Sequence, residues 1–457
     1  MTPALVLSGG GSKGAFEVGA LEYLSRRSDF FPRIMAGTSV GTLVCGPLAQ
    51  ASSPEEFHQL VQVVRGNALA VSGMSAVFGR QPWLDEIAGT PLGDFISDLI
   101  SVRSRPPLPP DPVGAHDPLI VEDLPRKHRT LFAIGSAIGN SSSLVRASKL
   151  LRDAGSAIMN LDPMEAGFRG DFDGGVARVD EGKIAASGTT LRLTVASLRD
   201  GVARYVTEEG LMVTGDAVTP YEPGGRPGVI QGMCTSSSVP IVFPPRRIGD
   251  DIYVDGGIVQ NIPLRAAVAC GAGDVIVILT GPLATVRDDT DFTKASIVSI
   301  YTRSASGITP QQLSRENLEF PLADGAKLTV IEPTADVLGG FEMEPGLIEI
   351  DFSYGWLRAA ETLADATDEE RRMLTKLSDD IVLQRERAWF AEERILTAGP
   401  QLNLVGALRR SREHVVASVT KWQDFGLPEP SGISEWGRSW EQHQAEIPPE
   451  YQDLAQP

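Results

Sequence analysis

Short apolar segments near residues 4–8, 33–36, 190–197, 252–255 and 274–279 lie between stretches whose apolar positions recur with a helical period. That alternation predicts an α/β fold, a sheet with helices on both faces. The run Asp274-Val275-Ile276-Val277-Ile278-Leu279 is apolar at successive positions, the character of a strand covered on both sides. Helices are expected over Ala15 to Leu24 and from Val40 onward, each directly after a glycine-rich turn. Further along, Tyr354 to Arg387 and Ala388 to Trp422 carry Leu, Ile, Val and Trp among many charges and predict helices. The cluster Asp368-Glu369-Glu370-Arg371-Arg372 reads as a solvated helix face.

A chain of 457 residues with a hydrophobic fraction of 42% exceeds one ordinary domain and has ample material for a large core. The expected division is a principal domain over 1–285 and a mostly helical extension over 286–457. Residues 67–160 are expected to form an insertion that the core does not require. This insertion holds the apolar stretch Ala68 to Phe78, the proline-rich Arg105 to Pro112, and Ile134 to Gly155. Prolines there favour an extended, stiff connection. The apolar stretch has two readings, a lid or lipid-contacting surface and plain core packing.

Chemistry concentrates at two glycine turns. Ala4-Leu5-Val6-Leu7 runs into Ser8-Gly9-Gly10-Gly11-Ser12-Lys13-Gly14, and the second strand runs into Gly37-Thr38-Ser39-Val40-Gly41, which has the G-x-S-x-G spacing. A serine that attacks a carbonyl must project from a sharp strand-to-helix turn, where backbones come too close for side chains at Gly37 and Gly41. Ser39 is thus the candidate nucleophile. Gly9, Gly10 and Gly11 open the other helix, whose first N–H groups have no partner within the helix and are the candidate oxyanion hole. Gly9, Gly11 and Gly14 also fit the dinucleotide fingerprint G-x-G-x-x-G. That reading needs an acidic residue at the end of the second strand, and Gly37-Thr38-Ser39 stands there instead.

A serine nucleophile needs a base. None of His58, His116, His128, His414 and His443 ends an apolar strand before turn glycines. Asp255 does: Ile252-Tyr253-Val254 delivers it into Gly256-Gly257, a turn that is otherwise a plain hairpin signal.

Together these segments resemble the patatin-like phospholipase family. The glycine-rich loop with Lys13 before Gly14, the elbow from Gly37 to Gly41 and the Asp255-Gly256-Gly257 turn match its three signatures in order. The stretch Ser236 to Pro245, with Val239-Pro240 and Phe243-Pro244, and Asn261-Ile262-Pro263 match further recurring features. The resemblance implies a three-layer α/β/α sandwich with a mainly parallel sheet. It also implies a Ser39–Asp255 dyad in place of a triad, an acyl-serine intermediate, and a phospholipase A or lysophospholipase activity without a cofactor. Lys13 stands where many relatives have arginine, and no chemical role is assigned to it. Burial would raise the pKa of Asp255 toward that of a useful base.

A net charge of −18 leaves no electrostatic footprint for nucleic acid or for general attraction to anionic membrane. The implied partner is a lipid or lysolipid, with transient membrane contact through a local patch. Cys45, Cys234 and Cys270 lack C-x-x-C spacing and read as free thiols in a reducing compartment. No His, Cys and carboxylate cluster has metal-ligand spacing, so no metal is implied. The sequence enters strand structure by Ala4 and has no apolar run long enough to span a bilayer. A cytoplasmic protein is expected, unless a dedicated system exports it without a cleaved signal. Two alternatives remain open at this level: an effector or binding protein regulated through its C-terminal helices, and a neutral-glyceride lipase or acyltransferase on the same site.

Overall fold

The computed structural model describes residues 2–70, 77–81, 157–171, 176–284, 291–294, 300, 303–304, 308–430 and 433. Met74, the proline-rich segment, Ile134 to Gly155, His116, His128 and His443 lie outside the described residues, as does position 285 itself.

The strands are β1 (Thr2–Leu7), β2 (Ile34–Thr38), β3 (Gly79–Arg80), β4 (Met159–Asn160), β5 (Thr190–Ser197) and β6 (Ala203–Thr207). They continue with β7 (Met212–Val213), β8 (Arg246–Ile248), β9 (Asp251–Asp255), β10 (Ala272–Ile278) and β11 (Leu328–Ile331). The main sheet runs in the order β11-β10-β1-β2-β5-β6-β7, while β3 and β4 form a separate pair. The contacts β11/β10, β10/β1, β1/β2 and β2/β5 are parallel. The remaining contacts, β5/β6, β6/β7, β5/β9 and β8/β9, are antiparallel.

The helices are α1 (Gly14–Leu24), α2 (Val40–Leu48), α3 (Pro54–Ala70), α4 (Asp162–Arg169), α5 (Glu181–Ala186) and α6 (Val229–Ser236). After them come α7 (Leu264–Ala269), α8 (Thr309–Leu318), α9 (Pro345–Thr362), α10 (Asp368–Ala398) and α11 (Leu402–Gln423). Side chains alternate across β1: Leu5 and Leu7 join one core, and Ala4 and Val6 join the other. The first core takes in α1 and α2, the second takes in α7, and so the sheet is the middle of three layers.

Helix α1 is buried nearly all round, as its apolar composition requires. The sheet lies on one side of it and α9 on the other. A Cβ on Gly19 would lie 1.9 Å from the Phe352 carbonyl oxygen, and one on Gly355 would lie 1.9 Å from the Phe16 carbonyl oxygen. The two glycines therefore let the helix backbones touch. Phe16 with Tyr354 and Tyr23 with Trp356 make edge-to-face pairs at 5.4 and 5.5 Å beside that crossing, each contributing about 1 kcal/mol beyond area burial.

The C-terminal region is helical, but its segmentation differs from the sequence expectation. The breaks fall at Thr367 and Gly399, not between Arg387 and Ala388. Thr367 caps α10 in a reciprocal box with Glu370, and Gly399 adopts φ 83° after the helix end. Helix α9 belongs to both the main core, through Ile350 and Phe352, and the C-terminal core, through Leu357 and Ala360. Strand β11 also lies beyond residue 285, so the sheet draws on chain from both sides of the expected boundary. No helix among the described residues is long and apolar enough to cross a membrane.

Candidate active site

The register of β5 explains how two residues 216 positions apart come together. Strand β2 pairs with Thr190 to Thr194 along one edge of β5 and ends at Thr38. Strand β9 arrives antiparallel and pairs Asp255 with Val195, the next position along. Strand β6 occupies the other edge over residues 192 to 196, so β2 and β9 must share one edge and meet end to end. Ser39 follows the last residue of β2, and Asp255 is the last residue of β9.

Ser39 has φ 53° and ψ −126°, one of three positive-φ non-glycine residues among those described. A serine in that conformation costs about 1–3 kcal/mol, held in place by the surrounding structure. The turn is tight: a Cβ on Gly37 would lie 2.7 Å from the Gly41 carbonyl oxygen, and one on Gly41 would lie 2.7 Å from that of Leu7. Ser236 Oγ accepts the Ser39 N–H at 2.9 Å, and the Thr42 hydroxyl donates to the Ser39 carbonyl at 2.6 Å. The Ser39 hydroxyl does not cap α2.

Asp255 is buried, 5% exposed, and its Oδ1 accepts the Gly257 N–H at 2.7 Å. Its backbone N–H donates to the Ser238 carbonyl at 3.0 Å, which ties the Ser236–Ser238 turn to the aspartate. Oδ2 is buried without a hydrogen bond of ordinary geometry. Burial pushes the carboxyl up to about 6, while the neighbouring Ser39 hydroxyl and the Gly257 N–H pull it down by lesser amounts. Gly256 is buried at the head of the turn, with the Thr194 carbonyl oxygen 2.4 Å from where its Cβ would stand.

The glycine loop lies against Ser39, with Ser39 Cβ 3.0 Å from where a Gly9 Cβ would stand. Its three N–H groups are not equivalent. The Gly9 N–H donates to the Asn261 carbonyl at 3.3 Å and to Asn261 Oδ1 at 3.2 Å, so it is already occupied. The Gly9 carbonyl accepts from the Thr280 hydroxyl at 2.7 Å. The N–H groups of Gly10 and Gly11 make no hydrogen bond among the described residues. Ser12 donates its N–H to the Gly340 carbonyl at 2.9 Å, its hydroxyl is buried without a partner, and Gly14 begins α1. The Lys13 ammonium pairs with Asp336 at 2.7 Å, and so it is neither freely solvated nor aimed at Ser39.

Sequence reading did not find Asp336, Gly340 or Thr280. They approach the loop from segments that carry no motif, at separations of more than 260 residues. Of the histidines, His58 pairs with Ser25 at 2.9 Å and His414 with Asp380 at 2.8 Å; neither borders the site. Cys45, Cys234 and Cys270 are free thiols, the first two buried. No group of three or more metal-ligating side chains occurs among the described residues.

Ser39 lies on the wall of a cavity of about 190 Å³ whose described lining has no charged side chain. The apolar stretch expected as a lid or as core contributes Val77 and Phe78, both buried in the main core and both on this wall. A hydroxyl beside a buried carboxyl that titrates near neutrality, two free N–H donors and an apolar cavity are together suited to acyl transfer.

The sequence comparisons agree with that class of site. The patatin-like phospholipase family model matches residues 5–268, and the chain belongs to that family. It is a family of lipid acyl hydrolases. Among solved structures, the chain is similar to VipD from Legionella pneumophila at 14% identity and a TM-score of 0.36, over 99% of this chain and 93% of that one. No curated protein matches the sequence.

Proposed function

We propose that the protein cleaves carboxylic esters of lipids as a phospholipase A or lysophospholipase, using Ser39 and Asp255 as a catalytic dyad. The Asp255 carboxylate accepts the hydroxyl proton as Ser39 Oγ bonds to the ester carbonyl carbon. The oxyanion that forms is held by the N–H groups of Gly10 and Gly11, each such donor being worth roughly 3 kcal/mol of barrier. Gly9 belongs to the loop but serves as its anchor, because Asn261 takes its N–H. Collapse of the tetrahedral intermediate breaks the bond to the alcohol oxygen, which leaves with the proton from Asp255. Asp255 then takes a proton from water as that water attacks the acyl carbon, the bond from that carbon to Ser39 Oγ breaks, and Oγ regains the proton from Asp255 as the carboxylic acid departs.

The observation that carries this reading is the meeting of β2 and β9 along one edge of β5, which sets Ser39 beside a buried carboxyl. A pKa of about 6 leaves Asp255 mostly ionised at neutral pH and still able to hold a proton in transit. We assign residues 1–285 as the catalytic unit, 67–160 as its insertion, and 286–457 as a mostly helical extension that also lends β11 to the catalytic sheet and braces the oxyanion loop through Gly340 and Asp336. Free thiols at Cys45, Cys234 and Cys270 favour a reducing, cytosolic setting. The test is release of free fatty acid from phospholipid and lysophospholipid by wild type and by Ser39→Ala and Asp255→Asn. Loss of release in both folded variants supports the dyad, and near-full release by either one overturns it.

A further inference from the structure

We infer that the acyl group this site accepts is a medium-length chain of about six to eight carbons, seated in the cavity on whose wall Ser39 lies. The inference rests on the ester-hydrolase reading above and specifies which acyl group that site selects. Three observations carry it. First, the cavity is apolar: its described polar positions are Ser12, Ser39, Asn67 and Ser237, and none is charged. An acyl chain fits there, and a charged head group must remain outside.

Second, the volume is small. Apolar cavities of about 150 Å³ hold one benzene, six carbons. The cavity here, at about 190 Å³, scales to roughly eight aromatic carbons or six of the bulkier methylenes by the same measure. A sixteen-carbon chain needs about two to three times that space by the same scaling.

Third, part of the wall is packed core. Phe78, Phe243 and Phe341 form a chain of rings with centroids 5.0 and 6.4 Å apart, and Phe78 and Phe243 are buried. Met164 and Phe168 of α4, also buried, supply further wall. Side chains embedded in a close-packed core yield little room to a longer guest.

Calorimetric binding of neutral n-alkanols of four to fourteen carbons to the full chain, below their aggregation limits, measures this capacity without depending on turnover. Affinity is expected to rise about four-fold per methylene up to six to eight carbons, as each methylene leaves water, and then to stay level. Ala68→Phe, which fills the cavity from α3, moves the plateau toward four carbons. Phe341→Ala, at a partly exposed position, moves it outward and serves if the first variant does not fold. An affinity that climbs without a break to fourteen carbons, or a plateau that both folded variants leave in place, overturns the inference. In parallel, p-nitrophenyl esters of the same lengths separate the two readings. Absence of Ser39-dependent cleavage at every length counts against the hydrolase, while cleavage with a steady preference for the longest chain counts against the medium-chain site alone.

Discussion

Replacing Asp255 by asparagine removes a charge that folding forces into an apolar setting, and the structure sets the size of the effect. The carboxyl titrates at about 6 in the folded protein against an ordinary value of 3.8. The folded state therefore holds the proton more tightly than the unfolded state, and stability falls as pH rises from about 4 to about 6, then levels off. Each tenfold difference in proton affinity between the two states corresponds to about 1.36 kcal/mol. Ionised Asp255 thus lowers stability by about 3 kcal/mol once the pH is well above 6. Between about pH 4.5 and 7.5 the same linkage predicts that wild type loses about 2 kcal/mol that Asp255→Asn does not lose. Asparagine keeps an acceptor for the Gly257 N–H, so the turn itself survives the change. Equilibrium urea unfolding of both proteins at several pH values is the assay. Parallel pH dependences would overturn this expectation, since they would mean that Asp255 titrates alike in folded and unfolded chains. The variant should be the more stable protein at neutral pH and an inactive one.

Four further outcomes follow from the same geometry. The acid limb of kcat/KM against pH should bend near 6, the folded-state value for Asp255; a limb at about 4 would mean that the base is solvated. Ser39→Gly should raise stability by about 1 kcal/mol in a thermal or urea melt through relief of the positive φ, whereas Ser39→Ala should not. Asn261→Ala frees the Gly9 N–H and carbonyl from one anchor; kcat is expected to fall roughly ten- to a hundred-fold with little change in KM, in keeping with a loop that acts on the transition state. Gly19→Val places a side chain where the Phe352 carbonyl stands, and it should destabilise the α1–α9 crossing by at least about 3 kcal/mol, readable as an early unfolding transition.

Much of the sheet was legible because its strands are apolar runs ended by glycine turns. The segment expected near 190–197 is Thr190–Ser197, and that near 274–279 is Ala272–Ile278. Strands β6, β7, β8 and β11 were not anticipated. They are two to five residues long, and their pairing depends on neighbours, not on their own pattern. The elbow was readable in Gly37 and Gly41 since no other residue fits that turn. The division of labour among Gly9, Gly10 and Gly11 was not, because it depends on Asn261 and Thr280, which reach the loop only in the folded chain. The helical extension read as helix, and its breaks at Thr367 and Gly399 do carry local signals, a Thr367–Glu370 capping pair and Gly399 before Pro400, which the pattern of apolar positions alone does not weigh. Lys13 illustrates the same limit: its partner Asp336 is 323 positions away.

The Ser39–Asp255 dyad is tested most directly by mass spectrometry of the products formed from mixed phospholipids, lysophospholipids and triacylglycerol by wild type, Ser39→Ala and Asp255→Asn, with folding of each checked in parallel. Free fatty acid is expected from wild type alone, with an acyl adduct trapped on Ser39. Fatty acid release by a folded Ser39→Ala protein, or an adduct on another residue, would contradict the dyad.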